Sequence, residues 1–179
     1  QRVLAVAFEK QSESNAMWAL SVPVPFVMPV HAGAGGYFAP HVRSYIRRSG
    51  APTETGAIVA AKDRTNALLN PYAHLHNPHT TVESVMASAM LWDPIRYDET
   101  CPSSDGACAV VIASESASSS VANPAWIHAT AMRSEPTSAA GRDQVNPLAG
   151  RAAAADLWAQ AGITNPLEEI DCAEIYVPF

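Results

Sequence analysis

The sequence has 179 residues, of which 48% are hydrophobic and 16% are charged. It is long enough for one domain with a hydrophobic core, and its charged fraction lies below the roughly 25% that is typical of soluble domains. The 11 basic and 17 acidic side chains give a net charge of -6. This balance disfavours nucleic acid as a partner, because no dense basic tract offsets it.

The sequence indicates neither a membrane span nor a disulfide framework. The apolar segment at residues 22–30 is interrupted by prolines and is shorter than the roughly 18 residues that a span needs. Three cysteines, Cys101, Cys108 and Cys172, do not suggest a set of disulfides in a chain of this size. We therefore expect a soluble protein of the reducing cytoplasm.

The first half of the chain predicts one strand followed by helices. The apolar run at residues 3–8 has the composition of a strand buried on both faces. Such a strand at the very start indicates that the chain is an internal fragment of a longer protein. The glycine cluster at residues 33–36 predicts a flexible turn, and the capping box Thr80-x-x-Glu83 predicts a helix start. Helices are expected at residues 39–48, ended by Gly50, and at residues 54–69 and 81–88.

The second half predicts strands at residues 107–113, 126–130 and 170–177. A serine-rich stretch at residues 114–123 has the composition of a linker, and we place an internal boundary there. Asn146, Pro147 and Gly162 are typical start and stop residues of a helix between them. We expect this helix to be covered on both sides, and the fold class to be α/β.

Several residues that could carry chemistry also have plain structural interpretations. His74, His76 and His79 do not have the spacing of a helical metal pair, so a hydrogen-bonded loop is favoured and no metal site is assigned. In the turn at residues 103–106 we expect Asp105 to accept bonds from backbone amides and Gly106 to take an unusual dihedral angle. Cys172 is expected to be a small buried side chain of the last strand.

Tyr176 is the candidate catalytic residue, because it lies at the end of the last predicted strand. The carboxyl ends of strands are where open α/β folds place their chemistry. A structural tyrosine at the edge of the protein would look the same in the sequence. Position alone leaves the two interpretations equally open.

Four segments together resemble one family, the thiolase superfamily, and within it the lipid-transfer or sterol-carrier type. They are AVAFEK at residues 5–10, KDRTNALLNPYAHL at 62–75, CPSSDGACAVVI at 101–112 and AEIYVPF at 173–179. The resemblance implies two similar halves, each a mixed five-stranded sheet with helices on both faces, plus a loop domain. Residues 1–117, with a loop region at about 22–95, would end the first half, and residues 118–179 would begin the second.

The resemblance also implies an activity, because Tyr176 stands where classical thiolases carry an oxyanion-hole motif. With the MLWDPIR, AMRSEP and GRDQVNP segments, this tyrosine is similar to that of bacterial steroid side-chain aldolases. These enzymes cleave a β-hydroxyacyl-CoA steroid by a retro-aldol reaction to a ketosteroid and propionyl-CoA. The substrate is a coenzyme A thioester, and no cofactor is expected. None of the three cysteines stands at the nucleophile position of thiolases.

Alternatives and partners follow from the same resemblance. An acetyl-CoA C-acyltransferase using a cysteine upstream of residue 1, and a non-catalytic lipid- or acyl-CoA-binding protein, stay open. Schiff-base chemistry through Lys10 or Lys62 is disfavoured because both lysines have polar surroundings. We expect a homodimer in complex with an OB-fold protein related to acyl-CoA-associated proteins. Phe26, Tyr72 and Trp92 are candidate pocket residues.

Overall fold

The computed structural model describes residues 1–13, 33–136, 141–143 and 145–179. Within these residues the chain is a mixed α/β protein with two small antiparallel sheets. It divides into two units. The first consists of residues 1–14, 104–136 and 147–175, and the second of residues 15–103, 137–146 and 176–179. The boundary that the sequence suggests between residues 117 and 118 stays a prediction.

The described residues form four strands and six helices, besides 3-10 turns at Gln11–Glu13 and Tyr97–Glu99. The strands are β1 (Arg2–Lys10), β2 (Met90–Trp92), β3 (Ile95–Arg96) and β4 (Asp105–Ala113). The helices are α1 (Gly33–Ser49), α2 (Thr55–Ala67), α3 (Val82–Ala87), α4 (Glu115–Ser118), α5 (Leu148–Ala161) and α6 (Pro166–Glu169).

An antiparallel ribbon of β1 and β4 forms the sheet of the first unit, and both predicted strands are confirmed. At one end of the ribbon the backbone N–H of Ser114 donates to the carbonyl of Gln1 at 3.0 Å. At the other end the carboxylate of Asp105 accepts from the backbone N–H of Ser12 at 2.9 Å, as expected of this aspartate. The hydroxyl and N–H of Ser12 lower the pKa of Asp105. Gly106 has no positive φ, so the dihedral predicted for it is wrong.

The prediction that the first strand is buried on both faces is wrong. Val3, Val6 and Phe8 are 60%, 59% and 77% exposed. The physical reason is that, within the described residues, β1 pairs with β4 alone, and these two strands form a ribbon without a second layer over its faces. An apolar run therefore predicted the strand correctly but not its surroundings.

Helix α5 differs from its prediction at its start. It begins at Leu148, with Pro147 at the N-cap and no side-chain cap bond, instead of being capped by Asn146. The carboxylate of Glu135 takes over this role, because it accepts from the backbone N–H of Ala149 at 3.1 Å. Gly162 ends the helix with φ +72°, as predicted. No residue of α5 is buried, so its predicted coverage on both sides is wrong.

Helix α1 includes the glycines that the sequence assigned to a turn, so that prediction is wrong. A Cβ atom on Gly35 would lie 2.3 Å from Cε3 of Trp92, which shows how closely the indole ring approaches the helix. Only glycine permits this approach, and Gly35 therefore serves packing at the start of α1. The predicted end is confirmed, since Gly50 follows the helix with φ +71°.

The buried apolar side chains of the described residues belong to the second unit. Ala39, Ala57, Val85 and Ile95 are between 0% and 4% exposed, and they come from α1, α2, α3 and β3. Packing of these four buried side chains holds α1, α2 and α3 around the β2–β3 hairpin. The predicted helix at residues 54–69 is confirmed as α2, which stops ahead of Pro71.

An ion pair connects the segment at residues 141–146 to α1. The guanidinium of Arg48 donates to both carboxylate oxygens of Asp143, at 2.6 and 2.9 Å. Hydrogen bonds from Arg48 are the main reason that the pKa of Asp143 is lowered to about 2. The bidentate geometry holds Asp143 at the last turn of α1.

Helix α3 is capped one residue later than the sequence predicts. Thr81 is the N-cap, and its hydroxyl accepts from the backbone N–H of Ser84 at 3.1 Å. The hydroxyl of Ser84 accepts in return from the N–H of Thr81 at 2.9 Å. Serine thus completes the capping box that Thr80 and Glu83 were expected to form, because a hydroxyl at the third helical position reaches back as a glutamate does.

Two predicted strands do not form in the described part of the chain. Residues 126–130 and 170–177 form neither helix nor strand and pair with no strand of the described residues. An extended segment becomes a strand only when a neighbour supplies the hydrogen bonds of a ladder. Both sheets of the described residues accordingly have two strands, where five were expected.

None of the helices among the described residues combines the length and the hydrophobicity required to cross a bilayer.

The contact between Gly35 and Trp92 predicts an unequal effect of alanine at two helical glycines. Gly35→Ala should lower the free energy of unfolding by about 1–3 kcal/mol, because the indole has to move. Gly150→Ala should instead raise it by up to about 1 kcal/mol, because helix propensity improves and the nearest atom to a Cβ, Cγ of Pro147, is 4.0 Å away. Urea unfolding of both variants measures this. Equal effects of the two substitutions would contradict the packing described.

The cap of α3 predicts that two adjacent threonines differ. Thr81→Ala should cost about 1 kcal/mol of stability, because an N–H in the first turn loses its acceptor. Thr80→Ala should cost less, since its hydroxyl only donates to the carbonyl of Asn77 at 3.4 Å. Thermal unfolding compares the stability of the two variants directly. A larger loss of stability in Thr80→Ala than in Thr81→Ala would indicate that Thr80 is the N-cap, as the sequence predicts.

Candidate functional site

The segment that carries Tyr176 is fixed to the second unit by two contacts. The backbone N–H of Cys101 donates to the carbonyl of Pro178 at 3.2 Å. The ring of Phe179 lies 5.3 Å from the ring of Phe38 on α1, measured between centroids. The chain therefore runs in a defined direction past α1 and the turn at Cys101, although it forms no strand.

Tyr176 itself points to solvent, with 85% of its surface exposed. Its neighbour Val177 is 46% exposed and lines two clefts of the second unit. The phenol of Tyr176 is thus accessible to a substrate, and Tyr176 precedes a cleft-lining residue in the chain without lining these clefts itself. The structure does not test its catalytic role, which stays a prediction.

Two adjoining clefts, of about 250 and 540 Å³, lie beside α2 and the turn after Glu99. We call them the Arg64 clefts. Trp92 and Tyr97 line the larger one, so one of the predicted pocket residues, Trp92, is in place. Both clefts share Arg64, His74, Leu75, Asp98, Thr100, Cys101, Pro102 and Phe179.

The titratable side chains that both Arg64 clefts share are Arg64, His74, Asp98 and Cys101, and the smaller cleft is also lined by Asp63 and Glu99 and the larger one by His76. Arg64 donates from Nη2 to the carbonyl of Thr100 at 3.1 Å, which holds the guanidinium at the cleft wall. Cys101 is exposed. Such a set can bind an anionic group and donate hydrogen bonds to a carbonyl oxygen.

Sequence reasoning missed Arg64 and Cys101 as cleft residues. Arg64 lies within the segment KDRTNALLNPYAHL, and Cys101 begins the segment CPSSDGACAVVI. Both segments carry the resemblance to the thiolase superfamily. Their membership in these segments was the sequence signal that could have pointed to Arg64 and Cys101. Periodicity could not reveal them, because the clefts arise where helix α2 meets residues more than 30 positions away in the chain.

A third cleft, of about 350 Å³, lies between α1 and α2, and we call it the α1–α2 cleft. Its walls are mainly aliphatic, and its titratable groups include His41 and Glu99. Burial raises the pKa of Glu99, against the opposing effects of the backbone N–H and the charge of Arg96. Burial, and after it the charge of Arg142, lowers the pKa of His41. Both shifts favour the neutral form of the side chain.

Other sequence candidates lie apart from these clefts or have the structural role expected of them. Nε2 of His76 is 2.7 Å from the carbonyl of Asn70, which confirms a hydrogen-bonded loop. Lys10 and Lys62 have exposed side chains paired with Glu13 and Asp63, as their polar surroundings predicted. Among the described residues no three potential metal ligands lie together.

The predictions for three further residues, Cys172, Tyr72 and Phe26, are not confirmed. Cys172 is exposed and lies in no strand, so its predicted burial is wrong, because the last strand that would have covered it does not form. Tyr72 is 93% exposed and does not line the three clefts. Phe26 lies outside the described residues.

Comparisons with known proteins give consistent relatives, although no family model matches the chain. The 17-hydroxy-3-oxo-4-pregnene-20-carboxyl-CoA lyase of Mycobacterium tuberculosis is 30% identical over 147 residues, which are 76% of this chain and 36% of the lyase. The benzoylsuccinyl-CoA thiolase subunit BbsB of Thauera aromatica is 28% identical over 146 residues, 80% of this chain and 37% of the subunit.

Human sterol carrier protein 2 is a further relative, 27% identical over 125 residues that cover 63% of this chain and 23% of the carrier. Among solved structures, the Ltp2-ChsH2(DUF35) aldolase has the same fold, with a TM-score of 0.73 and 24% identity. That similarity covers 92% of this chain and 45% of the aldolase chain. The chain thus spans between about a quarter and a half of the length of the proteins that it matches.

The ring contact of Phe179 predicts a measurable coupling to Phe38. In a double-mutant cycle with Phe38→Leu and Phe179→Leu, we expect a coupling free energy of about 0.5–1.5 kcal/mol from the lost aromatic pair. The cycle of Phe38→Leu with Tyr72→Leu is the control, because Tyr72 is 93% exposed. Denaturant unfolding provides the free energies. A coupling free energy of zero in the first cycle would contradict the packing of Phe179 on Phe38 of α1.

Proposed function

Because this chain is a relative of the lipid-transfer-type proteins of the thiolase superfamily, similar to steroid aldolases, we propose that it belongs to a steroid side-chain aldolase. The reaction is the retro-aldol cleavage of a β-hydroxyacyl-CoA steroid to a ketosteroid and propionyl-CoA. The observation that carries this proposal is the 30% identity to a lyase that acts on such a thioester. The shared fold with an aldolase supports it.

The reaction needs proton transfers and no redox step. A base removes the proton of the hydroxyl group on the ring carbon, and that oxygen becomes the ketone as the bond between the α and β carbons breaks. The electron pair passes to the α carbon as a thioester enolate, which an acid then protonates. Hydrogen-bond donors at the thioester oxygen stabilise the enolate. No nucleophile is required.

Tyr176 is the residue that we assign to one of these proton transfers. Its phenol is exposed, and the hydrogen bond between Cys101 and Pro178 fixes the backbone that follows it. A hydroxyl on a tethered segment can approach the oxygen or the α carbon of a bound substrate. The remaining proton-transfer groups are not assigned.

The Arg64 clefts are the proposed position of the coenzyme A portion of the substrate. Arg64 supplies a positive charge suited to phosphate, and the rings of Trp92 and Tyr97 in the larger cleft can stack on a planar base. The larger cleft, with about 540 Å³, has room for part of such a ligand. No metal or redox cofactor is proposed.

The proposed assembly is a homodimer bound to an OB-fold protein in the cytoplasm. The name of the aldolase that shares this fold contains two components, Ltp2 and ChsH2(DUF35), which favours a partner-dependent enzyme. Apolar side chains on the ribbon, such as Val6, Phe8 and Val111, are 59%, 77% and 66% exposed and provide surface that further protein could cover.

A thiolase reaction is the second candidate. It is favoured by the 28% identity to a benzoylsuccinyl-CoA thiolase subunit over 146 residues. Such a reaction requires an activated cysteine that forms an acyl-enzyme and free coenzyme A that accepts the acyl group. The non-catalytic alternative, a lipid carrier, is favoured by the identity of 27% to sterol carrier protein 2.

The role of Tyr176 predicts a large loss of activity in Tyr176→Phe. In the protein that contains this chain, we expect kcat for steroid acyl-CoA cleavage to fall about 10²- to 10⁴-fold, because a proton-transfer group is lost. The fold should be unchanged, since the hydroxyl of Tyr176 is exposed. Tyr72→Phe, at another exposed tyrosine, is the matched control and should retain activity. Wild-type turnover by Tyr176→Phe would remove this residue from the mechanism.

A further inference from the structure

Four aromatic rings meet at the first half of α1. The ring centroids of Tyr37 and Phe38 are 5.3 Å apart, those of Tyr37 and His41 are 4.9 Å apart, and those of Phe38 and His41 are 5.9 Å apart. All three pairs are edge-to-face, which is a favourable geometry for aromatic rings. Phe179 joins the group through Phe38, at 5.3 Å and an interplanar angle of 36°. The ring of Phe38 is therefore supported by its own helix on one side and contacts Phe179 on the other.

Phe179 lies where the three clefts of the second unit meet. It lines both Arg64 clefts and the α1–α2 cleft, whereas Phe38 lines none of these three. A substitution of Phe179 would change the cleft walls directly. A substitution of Phe38 acts on the clefts through Phe179, and it therefore separates an effect on the segment at residues 176–179 from the loss of a contact with a ligand.

The connection between Phe179 and Tyr176 is short and stiff. Only Val177 and Pro178 separate the two residues. The ring of a proline fixes its own φ and restricts the residue before it, and a β-branched valine has little freedom in its side chain. A displacement of Phe179 is therefore transmitted to Tyr176 instead of being absorbed between them.

The contacts that hold this segment lie at its end and not at Tyr176. The carbonyl of Pro178 accepts from the backbone N–H of Cys101 at 3.2 Å, and the ring of Phe179 packs on Phe38. Tyr176 itself is 85% exposed, and residues 170–177 pair with no strand of the described residues. The location of the phenol thus depends on the hydrogen bond at Pro178 and on the ring contact at Phe179.

We propose that Phe38 is a positioning residue, whose ring holds Phe179 where the three clefts meet and thereby fixes the location of the Tyr176 phenol. This rests on the proposed function, in which Tyr176 transfers a proton. Phe38 takes no part in the chemical step. A misplacement of about 1 Å can lower a rate by up to about 10²-fold, so a ring contact outside the clefts is sufficient to affect turnover.

The first test is the turnover of Phe38→Leu in the protein that contains this chain, with 17-hydroxy-3-oxo-4-pregnene-20-carboxyl-CoA as substrate. We expect kcat to fall about 2- to 10-fold, because the aromatic contact that holds the segment is lost. KM should stay within about twofold, because Phe38 lines none of the three clefts. Phe38→Tyr keeps the ring and should keep kcat. Tyr72→Leu, which removes a ring that is 93% exposed, is the matched control and should also keep kcat.

A double variant tests whether Phe38 acts through Tyr176. In a Tyr176→Phe background, Phe38→Leu should change the remaining rate by less than about twofold, because no phenol hydroxyl is left to be positioned. The same fall in kcat in both backgrounds would overturn the inference. A rise in KM with an unchanged kcat in Phe38→Leu would overturn it as well, since the ring contact would then act on binding.

Hydrogen exchange at the Cys101 amide tests the contact without any turnover. This N–H donates to the carbonyl of Pro178 and becomes accessible to water when the segment moves away. Phe38→Leu should accelerate its exchange about 2- to 10-fold, because the segment loses the aromatic contact. Tyr72→Leu should leave the exchange rate unchanged.

The two measurements separate this inference from the proposed function. Faster exchange in Phe38→Leu, without any cleavage of steroid acyl-CoA by the wild-type protein, would support the holding contact and reject the aldolase. Cleavage by the wild-type protein with a kcat that Phe38→Leu does not change would reject the inference and leave the aldolase. An unchanged exchange rate at Cys101 in Phe38→Leu would overturn the inference whatever the turnover.

Discussion

The half-buried carboxyl group of Glu99 is the contact on which the site-bearing unit depends. It accepts from the N–H of Arg96 at 2.5 Å, which closes the turn at Tyr97–Glu99, and it occupies the space beside Gly56 that a side chain there would fill. The turn and helix α2 are thereby held against each other. All three clefts discussed above border this turn or the residues that follow it. Removing the carboxyl would therefore affect packing and ligand space together.

Local signals in the sequence predicted helices α1, α2, α3 and α5 and the paired strands β1 and β4, because these depend on neighbouring residues. They did not predict the β2–β3 hairpin or the short helices α4 and α6. The periodicity of residues 39–48, the prolines after α2 and the glycines Gly50 and Gly162 each indicate an element or its end. Errors arose where a distant residue decides. Glu135 replaces Asn146 at the start of α5, and Trp92 packs on Gly35, so that an apparent turn is a helix. The strand expected at residues 170–177 failed because no partner strand lies beside it in the described residues.

The candidate site was predictable only in part for the same reason. Tyr176 could be named from its place in the segment AEIYVPF, and Trp92 from its aromatic character. Arg64, Cys101 and the pair of His41 and Glu99 carry no local signal, because their significance comes from helices and turns far apart in sequence. Sequence resemblance found the family to which the chain is related. The clefts, and the partly buried carboxyl group of Glu99 that lines two of them, could be found only from the packing of the second unit.

The most direct test of the proposed retro-aldol mechanism is whether cleavage requires free coenzyme A. The protein that contains this chain is incubated with 17-hydroxy-3-oxo-4-pregnene-20-carboxyl-CoA, with and without added coenzyme A, and the acyl-CoA products are identified by mass. The account predicts propionyl-CoA and a ketosteroid in equal amounts at a rate that free coenzyme A does not increase. Cleavage that occurs only when free coenzyme A is added would contradict it and would favour the thiolase reaction.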